Sequence, residues 1–143
     1  MTLVDANVLL YAYNADAPRQ RAAANWLAKL LKTGETIALP WVTIWAFIRI
    51  GTNSRIWTNP LSSKEAFRIV GEWLGQPGVV ALNTGPLHAE ILERLVNSYG
   101  ITGPLVTDAV LAALAMEHGA VLASTDQDFR RFPDLRWINP LSV

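Results

Sequence analysis

The sequence predicts an α/β fold in which a mostly parallel central sheet is covered by helices on both faces. Two observations predict it. Apolar segments of strand length alternate along the chain with longer segments rich in helix formers, a pattern typical of parallel strands joined by helical crossovers. The 143 residues contain no repeat and no long linker of Gly, Ser or Pro. We therefore expect residues 1–143 to form a single domain.

The first half of the chain begins with a strand and alternates from there. Residues 2–5 are a short apolar segment, as expected of a buried strand, and residues 6–13 continue as a helix. Residues 17–32 are rich in alanine, leucine and lysine, with apolar side chains recurring on one helical face. A second strand over 36–39 ends at a proline, which favours the start of a helix over 41–51.

The second half of the chain repeats this alternation. Ser62 or Ser63 is placed to cap a helix that runs to about Leu74. Short apolar segments predict further strands, and glycines mark the ends of the helices. The remaining predicted elements are strands over 79–82, 120–125 and 135–138 and helices over 86–99 and 105–119.

The composition excludes several classes of protein. With 51% hydrophobic and 17% charged residues, the chain is not expected to be disordered. The absence of cysteine excludes disulfides, thiolate metal sites and thiol nucleophiles, and it is compatible with the cytoplasm. The sequence shows neither a secretory signal nor an apolar run long enough for a bilayer, so we expect no membrane partner. Because the formal net charge is zero, binding to RNA would need a local basic patch.

Three carboxylates interrupt apolar segments at the ends of predicted elements. Asp5 ends the first strand, Asp126 follows the 120–125 strand, and Asp108 lies near the first turn of the 105–119 helix. The carboxyl ends of parallel strands share one edge of a sheet, where such folds bind ligands. Carboxylates that converge there repel one another, and a hard cation such as Mg²⁺ or Mn²⁺ removes the repulsion. The three acids together favour a shared metal site.

Each acid also has an ordinary structural explanation, which the sequence leaves open. Asp5 and Asp126 are suited to cap the elements that follow them, and Asp108 suits the positive end of its helix. Other catalytic chemistries have less support, since the sequence has no nucleophile elbow and no P-loop, and neither histidine has a metal-type partner. A phosphatase with a nucleophilic aspartate would need an acid two residues after Asp5, where Asn7 stands. Metal-assisted hydrolysis is the simplest remaining chemistry.

Three segments, VDANVLLYA, TDAVLAALAMEHGAVLAST and STDQDFRRFPDLRWINP, together resemble PIN-domain ribonucleases of the VapC toxin type. The resemblance covers nearly the whole chain. It implies a three-layer α/β/α sandwich and an endoribonuclease that depends on Mg²⁺ or Mn²⁺ and hydrolyses RNA phosphodiester bonds with a metal-activated water. It further implies a homodimer and a cognate VapB-like antitoxin that blocks the site.

The resemblance also assigns roles to particular residues. Asp5, Asp108 and Asp126 match the first, third and fourth acids of the family's metal site and would be both catalytic and metal-binding. The supporting positions that it implies are Asn7 as the polar residue after the first acid, Thr125 as the hydroxyl residue before the last acid, and Asp128 as a supplementary acid.

One position departs from the family pattern. The family usually carries a glutamate in the helix after the second strand, where this chain has Ala46. Either three acids and water hold the metal, or another acid such as Glu90 or Glu93 replaces the glutamate, or the activity is weak. The alternative function is therefore a PIN-like module that binds RNA or protein with little or no catalysis.

Two further groups of residues have open roles. The first is a set of arginines that are candidates for phosphate contacts, although a solvated surface role suits each arginine taken alone: Arg49, Arg55, Arg130 and Arg131. The second is a set of tryptophans, Trp41, Trp45 and Trp57, for which core packing is the default. A dimer surface or a groove for an antitoxin helix is the alternative for the tryptophans.

Overall fold

The computed structural model describes residues 1–142 and consists of a five-stranded sheet between two layers of helices. All paired strands are parallel, in the order β3-β2-β1-β4-β5. The predicted α/β class, the parallel sheet and the three-layer α/β/α arrangement are confirmed. The strands are β1 (Thr2–Val4), β2 (Ile37–Pro40), β3 (Val79–Leu82), β4 (Val121–Ala123) and β5 (Trp137–Ile138).

In the described part of the chain, six α-helices and one short 3₁₀ helix, η1, connect and cover the strands. Most lie where the apolar pattern predicts them, with differences confined to their ends. The helices are α1 (Ala6–Tyr13), α2 (Gln20–Lys32), α3 (Trp41–Gly51), α4 (Ser63–Leu74), α5 (His88–Tyr99), α6 (Leu105–Glu117) and η1 (Gln127–Arg131). Within residues 1–142, none of these helices is long and apolar enough to cross a membrane.

Several predicted boundaries need correction, including the end of α6 at Glu117 rather than residue 119 and the start of β5 at Trp137 rather than residue 135. Helix α2 starts at Gln20 rather than at residue 17, because Arg19 adopts a left-handed conformation with φ of 64°. Helix α5 was expected to start at residue 86, but it starts at His88. Strand β4 ends at Ala123 instead of residue 125, and the chain turns there into η1.

The side chains of the sheet alternate between two hydrophobic cores. Ile37 and Leu39 of β2 belong to the core beneath α1 to α4, whereas Ala38 faces the core beneath α5 and α6. Helix α6 buries four alanines, including Ala109 and Ala112, which have no exposed surface. Small side chains along this helix allow it to pack closely on the sheet. Both faces of the sheet are therefore covered, as the almost uninterrupted apolar strands require.

The strand order places a ligand-binding crevice at the centre of the sheet. From β1 the chain moves outward to β2 and β3 on one side, whereas β4 and β5 extend the sheet on the other side of β1. Strands β1 and β4 are neighbours, with Val4 paired to Ala123 at their carboxyl ends. In open parallel sheets, ligands bind outside the carboxyl ends of two strands whose connections run in opposite directions.

Candidate functional site

Asp5 occupies the crevice between β1 and β4. Its backbone N–H donates a 2.9 Å hydrogen bond to the carbonyl of Ala123, which fixes the start of α1 against the end of β4. Its Oδ1 accepts a 2.7 Å hydrogen bond from the backbone N–H of Ala6, so Asp5 is the N-cap of α1. The sequence had offered this capping role as the ordinary structural explanation of Asp5. Its second carboxylate oxygen, Oδ2, faces the polar side chains of the crevice.

Ser124 is the centre of the hydrogen-bond network around Asp5. Its hydroxyl donates a 2.7 Å hydrogen bond to Asp5 Oδ2 and accepts hydrogen bonds of 3.1 Å from Asn7 Nδ2 and from the backbone N–H of Asp126. The side chain of Ser124 has no exposed surface. A buried hydroxyl with three partners holds the two segments in fixed register.

Asn7 joins the same network from the first turn of α1. Its Nδ2 donates to Asp5 Oδ2 at 3.3 Å, and its Oδ1 accepts a 3.2 Å hydrogen bond from the backbone N–H of Thr125. The predicted supporting position Asn7 is thus in contact with the first acid. Thr125 enters this network through its backbone, and the neighbouring Ser124 supplies the hydroxyl that contacts Asp5.

A second group of acids adjoins this network, since the backbone N–H of Asp126 donates to the same Ser124 hydroxyl that contacts Asp5. Oxygens of Asp108, Asp126 and Asp128 all lie within 4.8 Å of one another. Asp108 comes from the first turn of α6, while Asp126 caps η1 by accepting a 2.8 Å hydrogen bond from the backbone N–H of Asp128. Asp5 stands outside this close group. The close group therefore includes Asp128, which was predicted only as a supplementary acid, and it does not include Asp5.

The electrostatics of the crevice reflect this crowding. Burial, followed by the negative charges of Asp126, Asp5 and Asp128, raises the pKa of Asp108 to about 6. Burial also raises the pKa of Asp5, although the hydrogen bonds from Ser124 and Ala6 act in the opposite direction. Clustered carboxylates whose charges are mutually unfavourable are a donor set that suits a hard divalent cation. The chemistry of these residues fits Mg²⁺ or Mn²⁺.

A pocket of about 240 Å³ opens beside Asp5. Helix α3 supplies most of its wall, and α6 supplies the remainder. Ala46 lines this pocket, so the position where the family pattern expects a glutamate lies at the site and carries only a methyl group. Glu90 and Glu93, the proposed replacements, lie on the exposed surface of α5. The residues lining the pocket are Asp5, Val42, Thr43, Trp45, Ala46, Arg49, Thr107 and Leu111.

The four arginines that were candidates for phosphate contacts lie in different environments. Arg131 forms an ion pair with Asp128 at 3.4 Å and also donates to the Asp128 carbonyl. The guanidinium of Arg130 lies over the ring of Trp137, at 5.8 Å from its centroid. Arg55 is exposed in the loop after α3, whereas Arg49 lines the pocket that contains Asp5. Arg49 is therefore the arginine placed to meet a ligand beside Asp5.

The default expectation of core packing is wrong for two of the three tryptophans. Trp45 is 64% exposed and Trp41 is 37% exposed, on the solvent side of α3. Both line a second pocket of about 400 Å³ next to the first. Trp57 is closer to the expected core packing, since it is half-buried against the core beneath α1 to α4.

Comparison with known proteins decides the family. Residues 2–135 match the model of the PIN domain. The chain belongs to the PIN-domain family. Over 140 residues it is 40% identical to Ribonuclease VapC37 of Mycobacterium tuberculosis, covering 98% of this chain and 97% of that protein. It is 38% identical over 141 residues to Ribonuclease VapC33 of the same species, covering 99% of both chains. The predicted resemblance to VapC-type PIN ribonucleases is confirmed.

Solved VapBC structures share the fold. The structure of VapBC-1 from nontypeable Haemophilus influenzae superposes with a TM-score of 0.72 at 17% identity, covering 99% of this chain and 98% of that chain. VapBC2 from Rickettsia felis gives a TM-score of 0.70 at 18% identity, covering 96% of this chain and 97% of that chain. At these identities the similarity concerns the fold, and it supports the three-layer arrangement of this PIN domain.

Ser124 is the site residue that the sequence did not identify. The motif AST before Asp126 contains two adjacent hydroxyl residues, and the family pattern directed attention to Thr125. A signal was present, since residues alternate faces along a strand and Ser124 directly follows β4. Choosing between the two hydroxyls required the position of Asp5 across the crevice, which only the paired strands provide.

Proposed function

We propose that this PIN domain is a metal-dependent endoribonuclease that acts as the toxin of a toxin–antitoxin pair. Residues 1–143 would form a single catalytic domain. The observation that carries the proposal is the convergence of Asp108, Asp126 and Asp128 within 4.8 Å, next to Asp5, in the central crevice of a chain 40% identical to a named VapC ribonuclease.

The acids would hold one or two Mg²⁺ or Mn²⁺ ions, with Asp5, Asp108 and Asp126 as the catalytic ligands and Asp128 as a supplement. When bound, the cation supplies a water of lowered pKa and neutralises negative charge on the phosphodiester. Ionised carboxylates are needed to bind it, and Asp108, with a pKa of about 6, is largely ionised at neutral pH.

The other residues of the network would hold these ligands in place. Ser124 and Asn7 fix Asp5 Oδ2, and the Ser124 hydroxyl also receives the backbone N–H of Asp126. One small side chain thus links the first acid to the last acid across β1 and β4. Partners that orient metal-binding carboxylates commonly change metal affinity or activity by about 10- to 100-fold when they are removed.

The direct test is metal-dependent RNA cleavage by wild type and by Asp5→Asn, Asp108→Asn and Asp126→Asn. We expect cleavage in Mg²⁺ or Mn²⁺ that EDTA abolishes and that falls by at least about 100-fold in each variant. Asp134→Asn is a matched control, since Asp134 is exposed and lies outside the acidic group and the pocket. Equal cleavage rates for wild type and Asp5→Asn would disprove the catalytic assignment.

A second candidate function is a PIN-like module that binds RNA or protein with little catalysis. The observation that favours it is the methyl group of Ala46 in the wall of the Asp5 pocket. A metal titration separates the two functions. A catalytic domain must show metal-dependent turnover at millimolar or lower Mg²⁺ or Mn²⁺, whereas a binding module need show neither affinity nor turnover.

The partners of the toxin would be RNA, a cognate VapB-like antitoxin and a second copy of the chain in a homodimer, all in the cytoplasm. Support for the antitoxin comes from the fold neighbours, which include the VapBC2 complex of Rickettsia felis bound to a promoter DNA fragment. One neighbour, VapC20 of Mycobacterium tuberculosis, is described as a toxin that cleaves the sarcin-ricin loop; it has a TM-score of 0.65 at 18% identity and covers 91% of this chain and 93% of that chain. Co-purification with the product of an adjacent small gene would test the pairing.

A further inference from the structure

Arg131 is a positively charged residue at the edge of the acidic group. Its Nη2 forms an ion pair with Oδ1 of Asp128 at 3.4 Å, and its Nε donates a 3.0 Å hydrogen bond to the backbone carbonyl of the same residue. Both contacts lie within η1, where Arg131 follows Asp128 by three residues. The guanidinium is therefore held beside an acid that the proposed function gives to the cation as a supplementary ligand.

The charge of Arg131 reaches beyond Asp128. Oxygens of Asp108, Asp126 and Asp128 lie within 4.8 Å of one another, so a positive group beside one of these acids is close to all of them. Burial and the charges of the neighbouring acids raise the pKa of Asp108, and Arg131 acts in the opposite direction. Of the ion pairs formed within residues 1–142, the pair of Arg131 and Asp128 is the one that involves these acids.

The charge balance of the crevice favours one divalent cation when Arg131 is present. Asp5 and the three clustered acids carry four negative charges when all are ionised. One divalent cation together with Arg131 leaves the crevice slightly negative, whereas a second divalent cation would make it positive. In sites with two metal ions the ions lie about 4 Å apart, and like charges at about that distance repel strongly near a protein surface. A second ion would therefore compete with the guanidinium for Asp128.

We propose that Arg131 takes the place of a second metal ion, so that the acidic group binds one Mg²⁺ or Mn²⁺ while the guanidinium holds Asp128. Arg131 is a positioning residue in this arrangement, because it acts through the carboxylate that it contacts. The inference rests on the proposed function, since it concerns the number of cations at the same site. Removing the positive charge should release Asp128 to a cation and tighten metal binding.

Binding of Mn²⁺ in the absence of RNA tests this arrangement without catalysis. The signal of free Mn²⁺ in electron paramagnetic resonance is followed at neutral pH as MnCl₂ is added to the metal-free protein, and it gives the number and the affinity of bound ions. We expect wild type to bind one ion. In Arg131→Gln we expect the first ion to bind about tenfold more tightly and a second ion to bind, because a like charge has been removed and Asp128 is available.

Two further variants control for net charge and for the side chain. Arg130→Gln removes the same charge from the next residue, whose guanidinium lies over the ring of Trp137, and it should leave the number and the affinity of bound ions close to those of wild type. Arg131→Lys keeps the charge on a side chain of similar length and should retain most of the wild-type behaviour.

Thermal unfolding in EDTA separates this role from a structural one. Arg131→Gln should unfold close to the temperature of wild type, because ion pairs that are open to solvent contribute little to stability. A merely structural arginine would lower the unfolding temperature or weaken metal binding when it is replaced. Tighter Mn²⁺ binding at unchanged stability is expected only if the guanidinium competes with the cation.

The possible results bear on Arg131 separately from the ribonuclease assignment. Two Mn²⁺ ions bound by wild type, or equal Mn²⁺ affinities for Arg131→Gln and Arg130→Gln, would overturn the role of Arg131. Those results would leave metal-dependent cleavage and its loss in Asp5→Asn intact. Conversely, the expected Mn²⁺ binding without any cleavage of RNA would uphold the role of Arg131 and disprove the proposed catalysis.

Discussion

The hydroxyl of Ser124 donates a 2.7 Å hydrogen bond to Oδ2 of Asp5, across a sequence separation of 119 residues. This contact joins the residue after β4 to the residue after β1, at the carboxyl ends of two adjacent parallel strands. The same hydroxyl accepts from Asn7 and from the backbone N–H of Asp126. Ser124 therefore sets the orientation of Asp5 and the position of Asp126 together.

We expect Ser124→Ala to impair both stability and activity. The substitution leaves the Asp126 N–H and one Asn7 N–H without their partner in a partly buried environment, which destabilises the fold by about 1 kcal/mol. RNA cleavage should fall by about 10- to 100-fold because Oδ2 of Asp5 loses its closest donor. Urea unfolding and cleavage assays measure the two effects.

The matched control for that substitution is Thr125→Val. Thr125 contributes its backbone N–H to the network, which valine retains. We expect unfolding and cleavage close to those of wild type. A larger loss of activity in Thr125→Val than in Ser124→Ala would show that the hydroxyl implied by the family pattern, rather than the one in contact with Asp5, is the functional group.

Asp108→Asn should stabilise the metal-free protein at neutral pH. The pKa of Asp108 is raised from 3.8 to about 6, so folding favours its protonated form. The corresponding stability is present below the unfolded pKa and is lost as the pH rises from about 4 through about 6. In EDTA at pH 7.5 the variant should gain about 1 kcal/mol over wild type, since one pKa unit is worth about 1.4 kcal/mol and the side chain is partly solvated.

The pH dependence provides the control for Asp108→Asn. At pH 3.5 wild-type Asp108 is mostly protonated in both states, and the difference in unfolding free energy between the two proteins should nearly disappear. Urea denaturation at both pH values is the measurement. A variant that is less stable than wild type at pH 7.5 in EDTA would contradict the crowding of Asp108 by the other acids.

Ala46→Glu should strengthen metal binding. The new carboxylate enters the wall of the pocket that contains Asp5, and more negative ligands raise the affinity of a site for hard cations. We expect about tenfold tighter Mn²⁺ binding by calorimetry, with Ala46→Gln as the control of nearly equal size and no charge. Equal Mn²⁺ affinities for the glutamate and glutamine variants would place residue 46 outside the reach of the metal.

Gly85→Ala should destabilise the turn before α5. The backbone N–H groups of Gly85 and Leu87 donate to the carboxylate of Glu117 at 2.9 and 2.8 Å. Burial acts to raise the pKa of Glu117, but these hydrogen bonds outweigh it and hold the pKa below its ordinary value. A Cβ on residue 85 would overlap this carboxylate. We expect thermal unfolding a few degrees lower at pH 7.

Acidification provides the control for Gly85→Ala. Glu117 has a lowered pKa, so its contribution is present above the unfolded pKa and is lost as the pH falls through the folded pKa. The difference between the variant and wild type should therefore shrink once Glu117 is protonated in both proteins. An equal deficit at low and neutral pH would assign the effect to the backbone of Gly85 alone.

Element types were well predicted because each depends on local pattern. The helix over 41–51 and the strand over 79–82 were placed correctly, since apolar periodicity and a proline at the junction act over a few residues. The start of α2 was wrong because Arg19 takes a left-handed conformation that L-residues rarely adopt. Nothing in the pattern of residues 17–20 reveals that backbone angle.

By itself, the sequence determined the α/β class, the family and the acids at the ends of elements, because strand length, helix pattern and motif are carried by neighbouring residues. Tertiary structure alone decided which of these groups meet. The adjacency of β1 and β4 brings Ser124 to Asp5. The start of α6 brings Asp108 to Asp126 and Asp128, and α3 places Thr43 and Ala46 in the same pocket. Contacts between distant segments depend on strand order and packing, which no local pattern encodes.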